Sequence, residues 1–424
     1  FEEIGADQIL NGDFSQIGAD QVTNGDFSQE GAELITNGDF ATDTDWSKGT
    51  GWTISGGSAN ANITTQAYSK LNQNVLTIGK SYKVTFSITS YTSGQVRASA
   101  GDVAEGTLRS AIGTYTDYLT CSGNTEFAFY PWGDFVGSID NVSVVEVGQS
   151  WTLNGQAFMG DDIVSFVDNG TNPLTGVVQN NAVVADTYYK VSFDVSRYVL
   201  GAVQIIVGGA NALSDSLSQG VGTYTFYIES GNSTNLEIKR WGTVPNFDFD
   251  ITNIIVQEVG QEWVTGVSWS IGDGVASSDG SANGLIRTDY SLFESGKTYK
   301  LGMTVSNMTT GQVSFPYDGS GYTTINTNGY HTTSYTPDDN NNAWIYGRNG
   351  FDGDITNITI QEVAQNWSLN GDVSITAQGA RITSDGTYSD IYQSGIMVVG
   401  DIYEVEYEIT ESVSGFLSVT GSFG

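Results

Sequence analysis

The run Tyr82-Lys-Val-Thr-Phe-Ser-Ile88 decides the fold, because it returns three times: as Tyr189-Lys-Val-Ser-Phe-Asp-Val195, Tyr299-Lys-Leu-Gly-Met-Thr-Val305 and Tyr403-Glu-Val-Glu-Tyr-Glu-Ile409. In each copy apolar and polar residues alternate, the period-two pattern of a strand with one face in a core and one in water. The fourth copy makes the point most plainly, since Glu404, Glu406 and Glu408 cannot all be buried. The copies start at 82, 189, 299 and 403, intervals of 107, 110 and 104 residues. That is the period of a domain and too long for one turn of a solenoid. The chain therefore reads as a string of related β modules.

Landmarks around these organising strands recur in the same order. Trp46, Trp151, Trp263 and Trp367 precede their tyrosines by 36, 38, 36 and 36 residues, and their strict period marks them as structural. Closing strands follow as Ile139-Asp-Asn-Val-Ser-Val-Val-Glu-Val147, Ile251-Thr-Asn-Ile-Ile-Val-Gln-Glu-Val259 and Ile355-Thr-Asn-Ile-Thr-Ile-Gln-Glu-Val363. The modules span residues 30–149, 150–261, 262–365 and 366–424, and the last stops after half a period. No Pro-rich or Ser/Gly-rich linker separates them, so neighbours are expected to abut as a rigid rod.

Residues 1–29 form an N-terminal arm of a shorter repeat. Gly5-Ala-Asp-Gln-Ile-Leu-Asn-Gly-Asp-Phe14, Gly18-Ala-Asp-Gln-Val-Thr-Asn-Gly-Asp-Phe27 and Gly31-Ala-Glu-Leu-Ile-Thr-Asn-Gly-Asp-Phe40 start 13 residues apart. Each couples strand-forming residues to Asn-Gly, a strong turn signal. Only the third leads directly into a module. The first two read as surplus opening strands with no module of their own, free to lie along a neighbouring subunit or to form a loose arm. The incomplete fourth module adds an exposed edge, and together these features predict a homo-oligomer.

Composition bounds the function. The 424 residues carry 15 Lys+Arg against 48 Asp+Glu, a formal charge of −33, with 53 Gly and 5 Pro. That field repels phosphate backbones and anionic lipid heads, so neither nucleic acid nor membrane insertion is expected. The single cysteine, Cys121, fits a packed thiol. The single histidine, His331, stands where the other modules have Tyr115 and Tyr224, which suits a surface strand residue better than a general base. No acidic pair recurs in a distinctive apolar setting, so catalytic residues are expected to be absent.

Asn37-Gly-Asp-Phe40, Gly51-Trp52, the Tyr82–Ile88 strand and the closing Ile139-Asp-Asn-Val-Ser-Val resemble carbohydrate-binding modules of families 4, 9 and 22. The run from Asn37 through Trp52 is also similar to repeats in phage tail and virion structural proteins. The resemblance implies an all-β fold of tandem antiparallel jelly-roll β-sandwich modules. It also implies a structural calcium in module one, held by Asp39 of the opening motif and Asp140 of the closing strand. Ala41 replaces the usual acidic residue after the motif, and Asp140 becomes Thr252 and Thr356 in later modules. Sugar binding would need exposed aromatic faces with polar neighbours. The candidates are loop residues just before the closing strands: Tyr130 and Trp132, Arg240 and Trp241, and Trp344, Tyr346 and Arg348.

Two functions follow. One is a non-enzymatic structural protein of a viral appendage or extracellular fibre, binding itself and surface polysaccharide. The other is a carbohydrate-binding adhesin, or the binding portion of a secreted glycan-degrading enzyme. Both place the chain on a virion or outside the cell.

Overall fold

The computed structural model describes residues 4–65, 69–168, 175–212, 220–240, 247–316, 322–337, 339, 341–376, 379–383, 386 and 388–421. These residues form strands in antiparallel sheets, and no helix occurs among them. They divide into two compact units, one of residues 16–260 and one of residues 1–15 with 261–424.

Module two shows the sandwich most simply. One sheet orders Thr152–Asn154, Gly176–Gln179, Leu236–Arg240, Val203–Val207 and Ala210–Ala212. The other runs Ala157–Met159, Val164–Asp168, Phe247–Val259, Tyr188–Leu200 and Gly222–Glu229. In module one the organising strand Ser81–Asp102 and the closing strand Gly123–Val147 pair along most of their 22 and 25 residues, with register shifts between Pro131 and Phe135. Module three repeats this with Thr298–Phe315 and Trp344–Val363.

The alternating positions of the first three organising strands face the cores as their pattern dictates. Tyr82, Val84, Phe86 and Ile88 are buried, as are Tyr189 to Val195 and Tyr299 to Val305 at the matching places. Each tyrosine hydroxyl stays satisfied by accepting the amide of the residue five positions upstream, Thr77 at 2.7 Å, Val184 at 2.8 Å and Glu294 at 3.0 Å. Within residues 16–260, modules one and two touch: the Tyr118 hydroxyl donates to Asp161 at 2.7 Å.

The opening repeats are not surplus. Ile4–Asp7 pairs with the closing strand of module three, Ile17–Asp20 with that of module two, and Glu30–Glu33 with that of module one. The order is nested, the first repeat serving the last of these modules. Each repeat carries a phenylalanine into a core: Phe14, Phe27 and Phe40 are buried against Trp263, Trp151 and Trp46, with ring centroids 5.1, 5.4 and 5.2 Å apart. Those indoles donate to the carbonyls of Asn11, Asn24 and Asn37 at 3.1, 2.9 and 3.0 Å. The periodic tryptophans are therefore anchors for the repeats. Glycine is needed in Asn-Gly-Asp-Phe because the closing strand comes so near. A Cβ at Gly12, Gly25 or Gly38 would sit 2.2, 2.0 or 2.0 Å from the carbonyl of Ile358, Ile254 or Val142. The arm of residues 1–29 thus dissolves into modules three and two, and the assembly argument built on spare strands falls with it.

Module four departs from the pattern. Its strands are two short pairs, Ser368–Asn370 with Asp390–Tyr392 and Val373–Thr376 with Gly379–Ile382. The Tyr403–Ile409 copy is not a strand, and Tyr403, Val405, Tyr407 and Ile409 are all exposed. Among the described residues of 366–421 there is neither an opening repeat nor a closing strand, and two-stranded ribbons alone are marginal in water.

Candidate functional site

The residues singled out before the closing strands do not sit in loops. Tyr130 and Trp132 lie on Gly123–Val147, and Trp344, Tyr346 and Arg348 lie on Trp344–Val363. Alternation explains their direction. Phe127, Phe129, Ala343 and Ile345 point into the cores, so residues one position on point outward. Arg240 ends Leu236–Arg240, with its backbone opposite Val203, and Trp241 lies outside the described residues.

Module one builds the fuller site. Tyr130 stands opposite Arg97 of the organising strand, and Trp132 follows on the same outer face, 58% exposed. The Arg97 guanidinium lies 4.9 Å from the Trp132 ring centroid and pairs with Glu105. Lys70 pairs with Glu126, lies 3.6 Å from Asp102, and places its ammonium 5.7 Å from the Tyr130 centroid. The Tyr130 hydroxyl donates to Asp102, Asn124 donates to the other Asp102 oxygen at 2.5 Å, and Asn72 donates to Glu126 at 2.7 Å.

These contacts fix the charges. Burial works against the Lys70 ammonium, but its bonds to Glu126 and Tyr130 outweigh that and hold its proton above the ordinary lysine range. The Tyr130 hydroxyl, aided by Asn124 and Lys70 against slight burial, holds Asp102 below the ordinary carboxylate range. Both cations on this face are thus neutralised by neighbouring carboxylates. What remains exposed on this face is the Trp132 indole, with the Arg97 guanidinium over its ring.

Module three offers a smaller version. The Arg348 guanidinium stacks 4.5 Å from the Tyr322 centroid and 5.6 Å from that of Tyr346, and Tyr322 is exposed. Trp344 stands opposite Arg287. Sequence reasoning missed Arg97, Lys70, Asp102, Glu126 and Tyr322. The one legible sign was Arg97 itself, a charge inside the otherwise small and apolar run from Val96 to Ala100.

Asp39 accepts the Ala41 amide at 3.2 Å, closing its own turn, and Asp140 accepts the Asn141 amide at 2.7 Å. Among the described residues no three acidic, histidine or cysteine side chains gather as a metal site, whereas calcium takes six to eight oxygens. His331 is a surface strand residue opposite Met303, with Nε2 2.8 Å from the Thr327 carbonyl. Cys121 is buried, donates to the Asn124 carbonyl at 3.0 Å, and has its thiol pKa pushed up by burial.

No protein-family profile and no curated protein matches the chain. Among solved structures it resembles tandem carbohydrate-binding modules and viral jelly-roll proteins. The N-terminal tandem of family 22 carbohydrate-binding modules from Paenibacillus barcinonensis Xyn10C is 10% identical, covers 54% of this chain and 98% of its own, and has a TM-score of 0.25. The atomic structure of Sulfolobus Turreted Icosahedral Virus gives 11% identity, 75% and 90% coverage, and 0.24. Tandem family 51 modules of a family 98 glycoside hydrolase from Streptococcus pneumoniae SP3-BS71 give 9%, 58% and 96%, and 0.17. At these values no residue role transfers. The fold of this chain, tandem antiparallel jelly-roll sandwiches, rests on its own sheets and their order.

Proposed function

We propose that this is a non-enzymatic structural protein of a viral appendage or extracellular fibre, whose module one also holds a surface glycan. The observation that carries the structural reading is the closure of three successive sandwiches by three near-identical repeats at one end of the chain. That architecture commits residues 4–40 to holding the scaffold shut. The glycan reading rests on Trp132, a large apolar ring left in solvent on a polar sheet face. Because Arg97 and Lys70 are already paired and the chain carries −33, the ligand is an uncharged polysaccharide rather than an anionic one. The adhesin reading shares this site and differs only in what the scaffold is attached to.

The test is retention on neutral and sulfated glycans. Trp132→Ala should weaken retention on the neutral glycan about ten-fold, equivalent to about 1.4 kcal/mol, with an unchanged thermal melt. Undiminished retention, or preference for the sulfated glycan, would remove the glycan role. Particles or filaments seen by electron microscopy of the purified chain would support the structural role, and a dispersed monomer at every concentration would oppose it.

A further inference from the structure

The seat that holds each opening repeat recognises that repeat as a peptide. In module three the Asp7 carboxylate accepts the Ile360 amide at 2.8 Å, and the Ile360 carbonyl accepts the Gln8 amide at 2.8 Å. Trp263 donates to the Asn11 carbonyl, the Ile358 amide donates to the Gly12 carbonyl at 2.9 Å, and Phe14 fills the pocket beside Trp263. Module two makes the same set of contacts to its own repeat. Asp20 accepts Val256, Trp151 donates to Asn24, Ile254 donates to Gly25 at 3.0 Å, and Phe27 packs on Trp151. Modules one and two add a buried glutamine clasp. Gln73 accepts the amide and donates to the carbonyl of Thr36, and Gln179 does the same to Thr23. The acidic residue before each turn, the Asn carbonyl, the Gly and the Phe meet groups in the seat, while the Asp of Asn-Gly-Asp-Phe bonds within its own turn.

We propose that the module-three seat is a binding site for an extended peptide ending in Asn-Gly-Asp-Phe, and that the partner supplying it is a second copy of this chain. Residues 4–14 of one copy replace those of the other, strand for strand, so the exchange keeps every contact and costs little. The outermost repeat is the one to exchange. The Asp7–Ile360 contact spans 353 residues of sequence, against 236 for Asp20–Val256 and 111 for Glu33–Val144. Closure entropy in the unfolded chain gives the first repeat about a six-fold lower local concentration at its own seat than the third. This rests on the structural reading above and adds a self-contact to it, and it is separable from it. Filaments that form without exchange would reject the exchange alone.

The experiment uses the full chain with Ile4→Cys and Val363→Cys, which face each other across the opening and closing strands. The buried Cys121 is left in place. The protein is unfolded in urea, refolded over a hundred-fold range of concentration, oxidised, and run on a non-reducing gel beside each single-cysteine variant. Exchange predicts a covalent dimer fraction that rises at least three-fold per ten-fold rise in concentration, is absent from the single variants, and falls when excess synthetic peptide 4–14 is present. The same peptide with Phe14→Ala should not compete. An internally linked monomer alone at every concentration would overturn the proposal, as would dimers from the single variants alone or indifference to the peptide. Ile17→Cys with Val259→Cys, the matching pair in module two, reports whether such paired variants fold, and it should remain mainly internally linked.

Discussion

Tyr299 and Tyr403 begin the same sequence pattern and make the same local bond, yet they end in opposite environments. The Tyr299 hydroxyl accepts the Glu294 amide at 3.0 Å and that of Tyr403 the Val398 amide at 2.7 Å, both five residues upstream. Tyr299 is 1% exposed and Tyr403 is 42% exposed. Tyr299 lies between two strands, opposite Tyr335 on one and Glu362 on the other. Residues 403–409 are in no strand. The tyrosine turn is thus a local product of sequence, whereas the strand that follows needs neighbours on both sides. Alternation makes a segment able to join a sandwich, and the closing strand and opening repeat decide whether it does.

The sharpest way to break this comparison is to remove equivalent side chains from the two kinds of module. Phe193 is buried and stacks on Tyr224 with ring centroids 5.5 Å apart, so Phe193→Ala should cost about 3–5 kcal/mol in a urea melt. Tyr407 occupies the matching position in module four and is exposed, so Tyr407→Ala should change stability by less than about 0.5 kcal/mol. Equal costs at the two positions would mean that module four has a core after all.

A middle-sized effect is expected where an opening repeat meets its seat. A Cβ at Gly12 would lie 2.2 Å from the Ile358 carbonyl, a backbone atom that cannot swing aside. Gly12→Ala should therefore destabilise module three by about 1–3 kcal/mol through local displacement of the repeat. Amide hydrogen exchange should then speed up along 355–363. Unchanged protection would show that the glycine answers some need other than this close approach.

Legibility followed the range of the interactions. The first three organising strands and their buried positions could be read from residues two apart, because side-chain direction in a strand is set locally. The destination of the first two repeats could not, since Asp7 meets Ile360 353 residues away and nothing in Gly5–Phe14 names that partner. The clue lay in arithmetic: three Asn-Gly-Asp-Phe copies match the three modules that have a closing strand. The candidate aromatics were found because they recur just before the closing strands, but they were placed in loops. The closing strands begin much earlier than their Ile-x-Asn signature, at Gly123 and Trp344. Their charged neighbours come from elsewhere in the chain, Arg97 from Ser81–Asp102 and Lys70 from just before Leu71–Asn74, and cross-strand register cannot be read from one strand's sequence.

The smallest expected effect tests whether module four is open for want of partners or because of strain at its entrance. Gly148 and Gly260 take left-handed backbone angles after the closing strands of modules one and two, with φ of 69° and 72°. Ala364 takes the same place before module four with φ of 54°, and its carbonyl accepts the Trp367 amide at 2.8 Å as Gly148 accepts that of Trp151 at 3.1 Å. A left-handed alanine costs about 1–2 kcal/mol, so Ala364→Gly relieves that much. Against it stand about 0.8 kcal/mol for the buried methyl and about 0.4–1 kcal/mol for the greater freedom of glycine in the unfolded chain. The terms nearly cancel, and Ala364→Gly should shift stability by less than about 0.5 kcal/mol while leaving Trp367, 37% exposed, as accessible to a fluorescence quencher as before. A gain well above 1 kcal/mol together with a shielded Trp367 would locate the cause at the joint. No change in either would leave the partner strands as what separates the fourth module from the first three.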